Sequence, residues 1–238
     1  MIERDCVYGG GEETVTGWLC APEPASRKRH PGVLVVHGAH GLDDHVVSSS
    51  RRIAALGYAV FAVDLWGERK QPKGPDEFGP LLGRYAGDRD YWFSRIDAAC
   101  AALAGQPETD ATRIGAAGYC FGGASVLEYV RMGGRIAAGV SLHGGLDMVA
   151  DDWSRAVAGT GILIATGADD PLAKSEDRMR IENAMSAAGI VWETDLYGGV
   201  RHAFSEPDTP ATPPFAAYDA HADRRSFQAM TAFFAAML

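Results

Sequence analysis

The residues of this chain best suited to chemistry are a cysteine, an acid and a histidine, each just beyond a short apolar run. Cys120 sits in Gly118-Tyr119-Cys120-Phe121-Gly122-Gly123, between the apolar Arg113–Ala117 and the helix-like Ala124–Arg131. Glycines two before and two after it remove the Cβ atoms that a sharp strand-to-helix elbow would force together. This is the G-x-S-x-G nucleophile elbow with cysteine for serine. Asp169 and Asp170 follow the apolar run Gly161–Gly167, and His202 follows Val191–Tyr197. In that order a thiolate can attack a carbonyl carbon, an imidazole can move the proton, and a carboxylate can orient the imidazole. The backbone N–H of Phe121 and that of Ala39, in the glycine-rich His37–Leu42 loop, are the expected oxyanion donors. Such donors contribute on the order of 3 kcal/mol each to a transition state.

The elements that must position these residues alternate along the chain. Residues 1–30 read as an N-terminal β-hairpin, turning at Gly9-Gly10-Gly11, followed by a polar connection with the basic run Arg27-Lys28-Arg29-His30. Pro31–Gly38 and Tyr58–Leu65 are continuous apolar runs suited to strands buried on both faces. Val46–Leu56 reads as a helix stopped by Gly57. Residues 66–87, rich in Gly and Pro, read as a long surface loop covering the site, with room for a short helix within it. From Asp88 to Leu103 the apolar residues Trp92, Phe93, Ile96, Ala99, Cys100 and Leu103 recur at helical spacing. Strands at Ile136–His143, Gly161–Gly167 and Val191–Tyr197 follow, with helices at about 174–188 and 218–237. The alternation predicts one α/β domain over 1–238, a mostly parallel sheet with helices on both faces. Ligands of such sheets bind beyond the carboxyl ends of the strands, where all four chemical loops fall.

Composition bounds the function. The 238 residues are 47% hydrophobic, with a formal net charge of −9. That balance disfavours a nucleic-acid surface. No run of about 18 apolar residues suggests a membrane span. Met1-Ile2-Glu3-Arg4-Asp5 does not resemble a signal peptide. With cysteines only at 6, 20, 100 and 120 and no C-x-x-C pair, reduced thiols and a cytoplasmic location are expected. His37, His40, Asp43, Asp44 and His45 lie close in sequence but lack a metal-ligand spacing. His143 ends a strand near the site and reads either as a residue supporting the site's own side chains or, by preference, as a hydrogen-bonded structural histidine. Phe233, Phe234 and Leu238 on the final helix either dimerise two copies or dock on the chain's own sheet.

The pieces G-Y-C-F-G-G at 118–123, G-A-D-D-P-L at 167–172 and Y-G-G-V-R-H-A-F at 197–204 resemble the dienelactone hydrolase family of α/β-hydrolases. The resemblance extends over nearly the whole chain in element order. It implies a Cys120–Asp170–His202 triad, with Asp170 preferred over Asp169, an α/β-hydrolase fold with no large cap domain, and no cofactor or metal. It also implies a small-molecule ester or lactone as substrate. Two positions depart from the pattern of members acting on dienelactone. Gly38 stands where they carry a glutamate, and Glu206 where they carry an arginine for the substrate carboxylate. A carboxylate at 206 repels an anionic substrate, which points to neutral esters, lactones or thioesters. His40, Trp66, Arg84, Tyr85, Tyr119 and Phe204 are candidate pocket residues. Activated phosphate triesters are a second substrate class for the same centre. A ligand sensor that forms one slow adduct, or a thiol redox protein, is the rival of another kind.

Overall fold

The computed structural model describes residues 1–9, 15–23, 29–207 and 214–238. Half of the basic run, Arg27 and Lys28, and the proline-rich segment around Pro210 and Pro213 lie outside these residues. The eight strands form one mostly parallel sheet in the order β1-β2-β4-β3-β5-β6-β7-β8, with helices between them. By contact density the chain falls into two compact units, Met1–Ala116 with Leu238, and Ala117–Met237.

In the first unit, β1 (Ile2–Tyr8) and β2 (Val15–Ala21) form the expected antiparallel hairpin. Cys6 pairs with Gly17 and Cys20 with Glu3, so no bridge joins the two cysteines, and none of the four cysteines is in a disulfide. β3 (His30–Val36) and β4 (Ala59–Val63) pair in parallel, with Val33–Val36 and Ala59–Val63 wholly buried. Helix α1 (Asp44–Ala54) starts where Asp43 accepts the Val46 N–H at 3.1 Å. Helix α3 (Arg89–Ala104) starts likewise at Asp88 and buries Trp92, Ile96, Ala99, Cys100 and Leu103. Arg95 is buried with them, its guanidinium donating to the Leu65 carbonyl at 2.8 Å.

The stretch read from sequence as a loop is corrected here. Residues 75–87 form a full helix, α2 (Pro75–Gly87), and only 66–74 are irregular. Pro75 opens the helix, where its missing N–H costs nothing. Gly79, Gly83 and Gly87 face open space, so they dilute helix propensity without marking turns. One buried side chain, Tyr85, anchors α2: its hydroxyl donates to the Leu65 carbonyl and its ring meets Trp66 edge-on at 5.4 Å.

β5 (Thr109–Tyr119) runs into α4 (Phe121–Arg131), every residue of which is buried. Within the second unit, β6 (Ala138–Leu142), β7 (Gly161–Gly167) and β8 (Val191–Tyr197) pair in parallel. α4 approaches β6 closely: a Cβ at Gly123 would lie 2.7 Å from Ser141 Oγ and 2.8 Å from Gly144 Cα. Its buried Glu128 pairs with buried Arg131 at 2.8 Å and also accepts the Ala150 N–H at 2.7 Å. Between β7 and β8 lies α5 (Ser175–Ala187). α6 (Ala220–Met237) docks on the sheet, with Phe233 and Phe234 buried and a Cβ at Gly161 only 2.6 Å from Met237 Cε. Those two aromatic rings therefore do not offer a surface to a second copy.

Candidate active site

Cys120 is the one residue between β5 and α4. Its backbone has φ +54° and ψ −116°, a conformation that costs an L-residue about 1–3 kcal/mol. The flanking glycines make it possible: a Cβ at Gly118 would lie 2.0 Å from the Gly122 carbonyl oxygen. The elbow is held by its own backbone groups. The Cys120 N–H donates to Leu142 O at 3.0 Å, and its carbonyl accepts from Gly123 at 3.0 Å and Ala124 at 3.3 Å. The thiol, partly exposed, thus stands at the N-terminal end of a helix, where partial positive charge favours an anion. Phe121 N–H opens that helix, among the amides its own ladder does not use.

His202 follows β8, in a loop held by backbone bonds to the segment before α6. The His202 N–H donates to Phe215 O, and Ala217 N–H to His202 O, each at 3.0 Å. Its Nε2 lies 3.1 Å from Cys120 Sγ and its Nδ1 2.7 Å from Asp170 Oδ2. Asp170 is buried, and its other oxygen accepts the Leu172 N–H at 2.9 Å. Asp169 is exposed. The turn after β7 separates the two neighbours: Asp169 N–H donates to Val200 O, while Asp170 N–H turns back to Gly167 O. Burial works against a charge on His202, but the sulfur of Cys120 and the carboxylate of Asp170 outweigh it and hold the imidazolium well above its ordinary range.

The first loop has its own geometry. His37 is fully buried; Leu65 N–H donates to its Nε2 at 3.0 Å, so Nδ1 carries the proton and donates to Gly38 O at 2.6 Å. Burial lowers its pKa, which keeps it neutral. A trans peptide sets the Ala39 N–H opposite the Gly38 carbonyl, so this bond fixes the direction of that amide.

The proposed pocket residues divide. Trp66, Tyr85, Tyr119 and Phe204 are buried packing residues, and large aromatics give no sequence signal that separates lining from core. Trp66 donates to Ala39 O at 3.1 Å, and Phe204 meets the His143 ring edge-on at 5.0 Å. His40 is exposed, with Nδ1 3.0 Å from Pro72 O, and the exposed Arg84 stacks on Tyr91 at 4.0 Å. Among the described residues no group of three His, Cys, Asp or Glu is arranged to hold a metal. Ser205 was not singled out from the sequence; its hydroxyl lies 2.8 Å from His143 Nε2, and a lone serine near a histidine carries no distinctive pattern.

Comparison with known proteins agrees with this architecture. The family model described as "Dienelactone hydrolase family" matches residues 15–238. The crystal structure of a dienelactone hydrolase-like promiscuous phosphotriesterase, P91 from metagenomic libraries, is 35% identical and superposes with a TM-score of 0.92, covering 99% of this chain and 98% of that one. A structure named "m3DLH" is 32% identical with the same TM-score, over 100% of this chain and 98% of its own. A Bradyrhizobium protein named "Probable 2-oxo-3-(5-oxofuran-2-ylidene)propanoate lactonase" is 24% identical over 205 residues, 83% of this chain and 82% of that protein. The eight-stranded sheet with its helices is an α/β-hydrolase fold, and the chain belongs to the dienelactone hydrolase family of hydrolases.

Proposed function

We propose that this hydrolase cleaves small to medium neutral carboxylic esters or lactones through an acyl-Cys120 intermediate. The observation that carries the reading is the unbroken contact from Cys120 Sγ through His202 to Asp170, at 3.1 Å and 2.7 Å, on a strained elbow. The Cys120 thiolate attacks the carbonyl carbon. The oxyanion that forms is met by the Phe121 N–H at the start of α4. As the C–O bond breaks, His202 gives its Nε2 proton to the leaving oxygen, and a thioester remains on Cys120. Neutral His202 then takes a proton from water as the water oxygen attacks the thioester. Collapse releases the acid and restores the thiolate–imidazolium pair. Asp170 holds Nδ1–H throughout and offsets the imidazolium charge.

Glu206 supports neutral over anionic substrates. It lies four residues after His202, is partly exposed, and puts a negative charge beside the site. The likeness to P91 favours a second reading for the same centre, hydrolysis of activated phosphate triesters. There the thiolate would attack phosphorus, and slow dephosphorylation of Cys120 would limit turnover.

Hydrolysis of a p-nitrophenyl ester by wild type and Cys120→Ala, with intact-protein mass followed during turnover, tests both readings. Steady release lost in the variant, with a transient acyl mass on wild type, is the expected result. Full activity in the variant would overturn it, and one adduct without turnover would mark a sensor. A p-nitrophenyl dialkyl phosphate, run alongside, reads the triester activity.

A further inference from the structure

His143 is the titratable side chain beside the site that the steps above leave unused. It is fully buried at the end of β6, and its backbone takes φ +39°, a second strained non-glycine position. Its own N–H is tied to Ala165 O of β7 at 2.8 Å. Both ring nitrogens end on the machinery. Nδ1 accepts the backbone N–H of Cys120 at 3.2 Å, and Nε2 contacts Ser205 Oγ at 2.8 Å. An Nδ1 that accepts from an amide carries the lone pair, so the ring proton sits on Nε2 and is donated to Ser205. This tautomer cannot take a proton from Ser205, which rules out a second Ser–His nucleophile here.

Other groups enclose the ring. His202 packs on it edge-to-face at 5.4 Å and Phe204 at 5.0 Å, Tyr119 lies tilted at 6.0 Å, and Glu206 Oε1 lies 3.9 Å from Nε2. Cys120 N–H already has Leu142 O as an acceptor at 3.0 Å, so the amide does not need His143 to be satisfied. What the imidazole adds is a link. One end fixes the peptide plane of the nucleophile; the other fixes a loop residue three positions after His202, past Ala203 at φ +57°.

We infer that His143 is a positioning residue: it ties the Cys120 amide to the loop carrying His202 and so holds Sγ and Nε2 at reacting distance. The inference rests on the hydrolytic reading above. A displacement of about 1 Å between reacting groups costs on the order of 100-fold in rate, so a single buried link has leverage.

The test compares wild type, His143→Phe, His143→Asn and Ser205→Ala. Phenylalanine fills the buried space and removes both bonds; the asparagine amide oxygen restores an acceptor near the position of Nδ1. Each variant is assayed for kcat and KM on p-nitrophenyl acetate. Each is also assayed for the rate of Cys120 alkylation by iodoacetamide, with Cys120→Ala as the blank for the other thiols. In His143→Phe, kcat and the alkylation rate should fall roughly 10- to 100-fold with KM within about twofold, and His143→Asn should recover much of the loss. If His143→Phe does not fold, Ser205→Ala carries the test and should lower kcat several-fold at constant KM. A folded His143→Phe with wild-type kcat and alkylation would overturn the inference. So would an asparagine variant no better than phenylalanine, or an unchanged Ser205→Ala. The alkylation arm needs no turnover. A wild type without esterase activity whose alkylation still falls in His143→Phe would sink the hydrolytic reading and leave the positioning role standing.

Discussion

At Asp169 and Asp170 two identical side chains stand next to each other, and only one faces the imidazole. The difference is made by the turn after Gly167, which buries Asp170 against His202 and leaves Asp169 in solvent. Residue types alone leave the two equivalent, because a register of one residue is set by backbone bonds that no composition encodes. The family pattern favours Asp170, and the hydrogen bond falls there. Asp170→Asn keeps the size and the bond to Leu172 but removes the charge that stabilises the imidazolium. We expect kcat for a p-nitrophenyl ester to fall by about 10²–10⁴ with little change in folding. Asp169→Asn should leave kcat unchanged. Equal kinetics for both variants in a steady-state assay would take Asp170 out of the chemistry.

Elements were legible where one physical demand dominated the sequence. The elbow needs glycines two residues either side of the cysteine, and at Gly118 a Cβ would run into the Gly122 backbone. The parallel strands bury both faces, and their continuous apolar runs say so. α2 was misread because its signal is mixed. Three glycines and an internal Pro80 lower helix propensity and mask an apolar face that buries a single tyrosine. Tertiary anchoring of Tyr85 on Leu65 supplies what propensity does not. The elbow makes a sharper prediction. In Gly118→Ala the new Cβ meets backbone, which cannot swing aside as a flexible side chain would. Chemical denaturation should show a loss of more than about 3 kcal/mol, or no folded protein at all. A loss below about 1 kcal/mol would mean that the elbow relaxes freely, and the strain assigned to Cys120 would then be in doubt.

For the whole molecule, the alternation of strands and helices was readable, and so was the chemistry of the strand ends. What was not readable was which apolar side chains the interior would absorb. Phe233 and Phe234 could serve equally as an interface or as core by sequence, and the structure buries them as core. The same burial gives the site a consequence for global stability. Cys120 and Asp170 hold the His202 imidazolium above the ordinary value near 6.5 despite desolvation. A group whose folded-state pKa is raised binds its proton more tightly in the fold than in the unfolded chain. The stability it contributes is therefore present in full below about pH 6.5 and is lost as pH rises through the higher folded value. His202→Gln has no proton to exchange there. Calorimetric melting of both proteins across this range should show wild type ahead at neutral pH and the gap closing on the alkaline side. A gap that stays constant as pH rises would show that the fold does not hold His202 protonated.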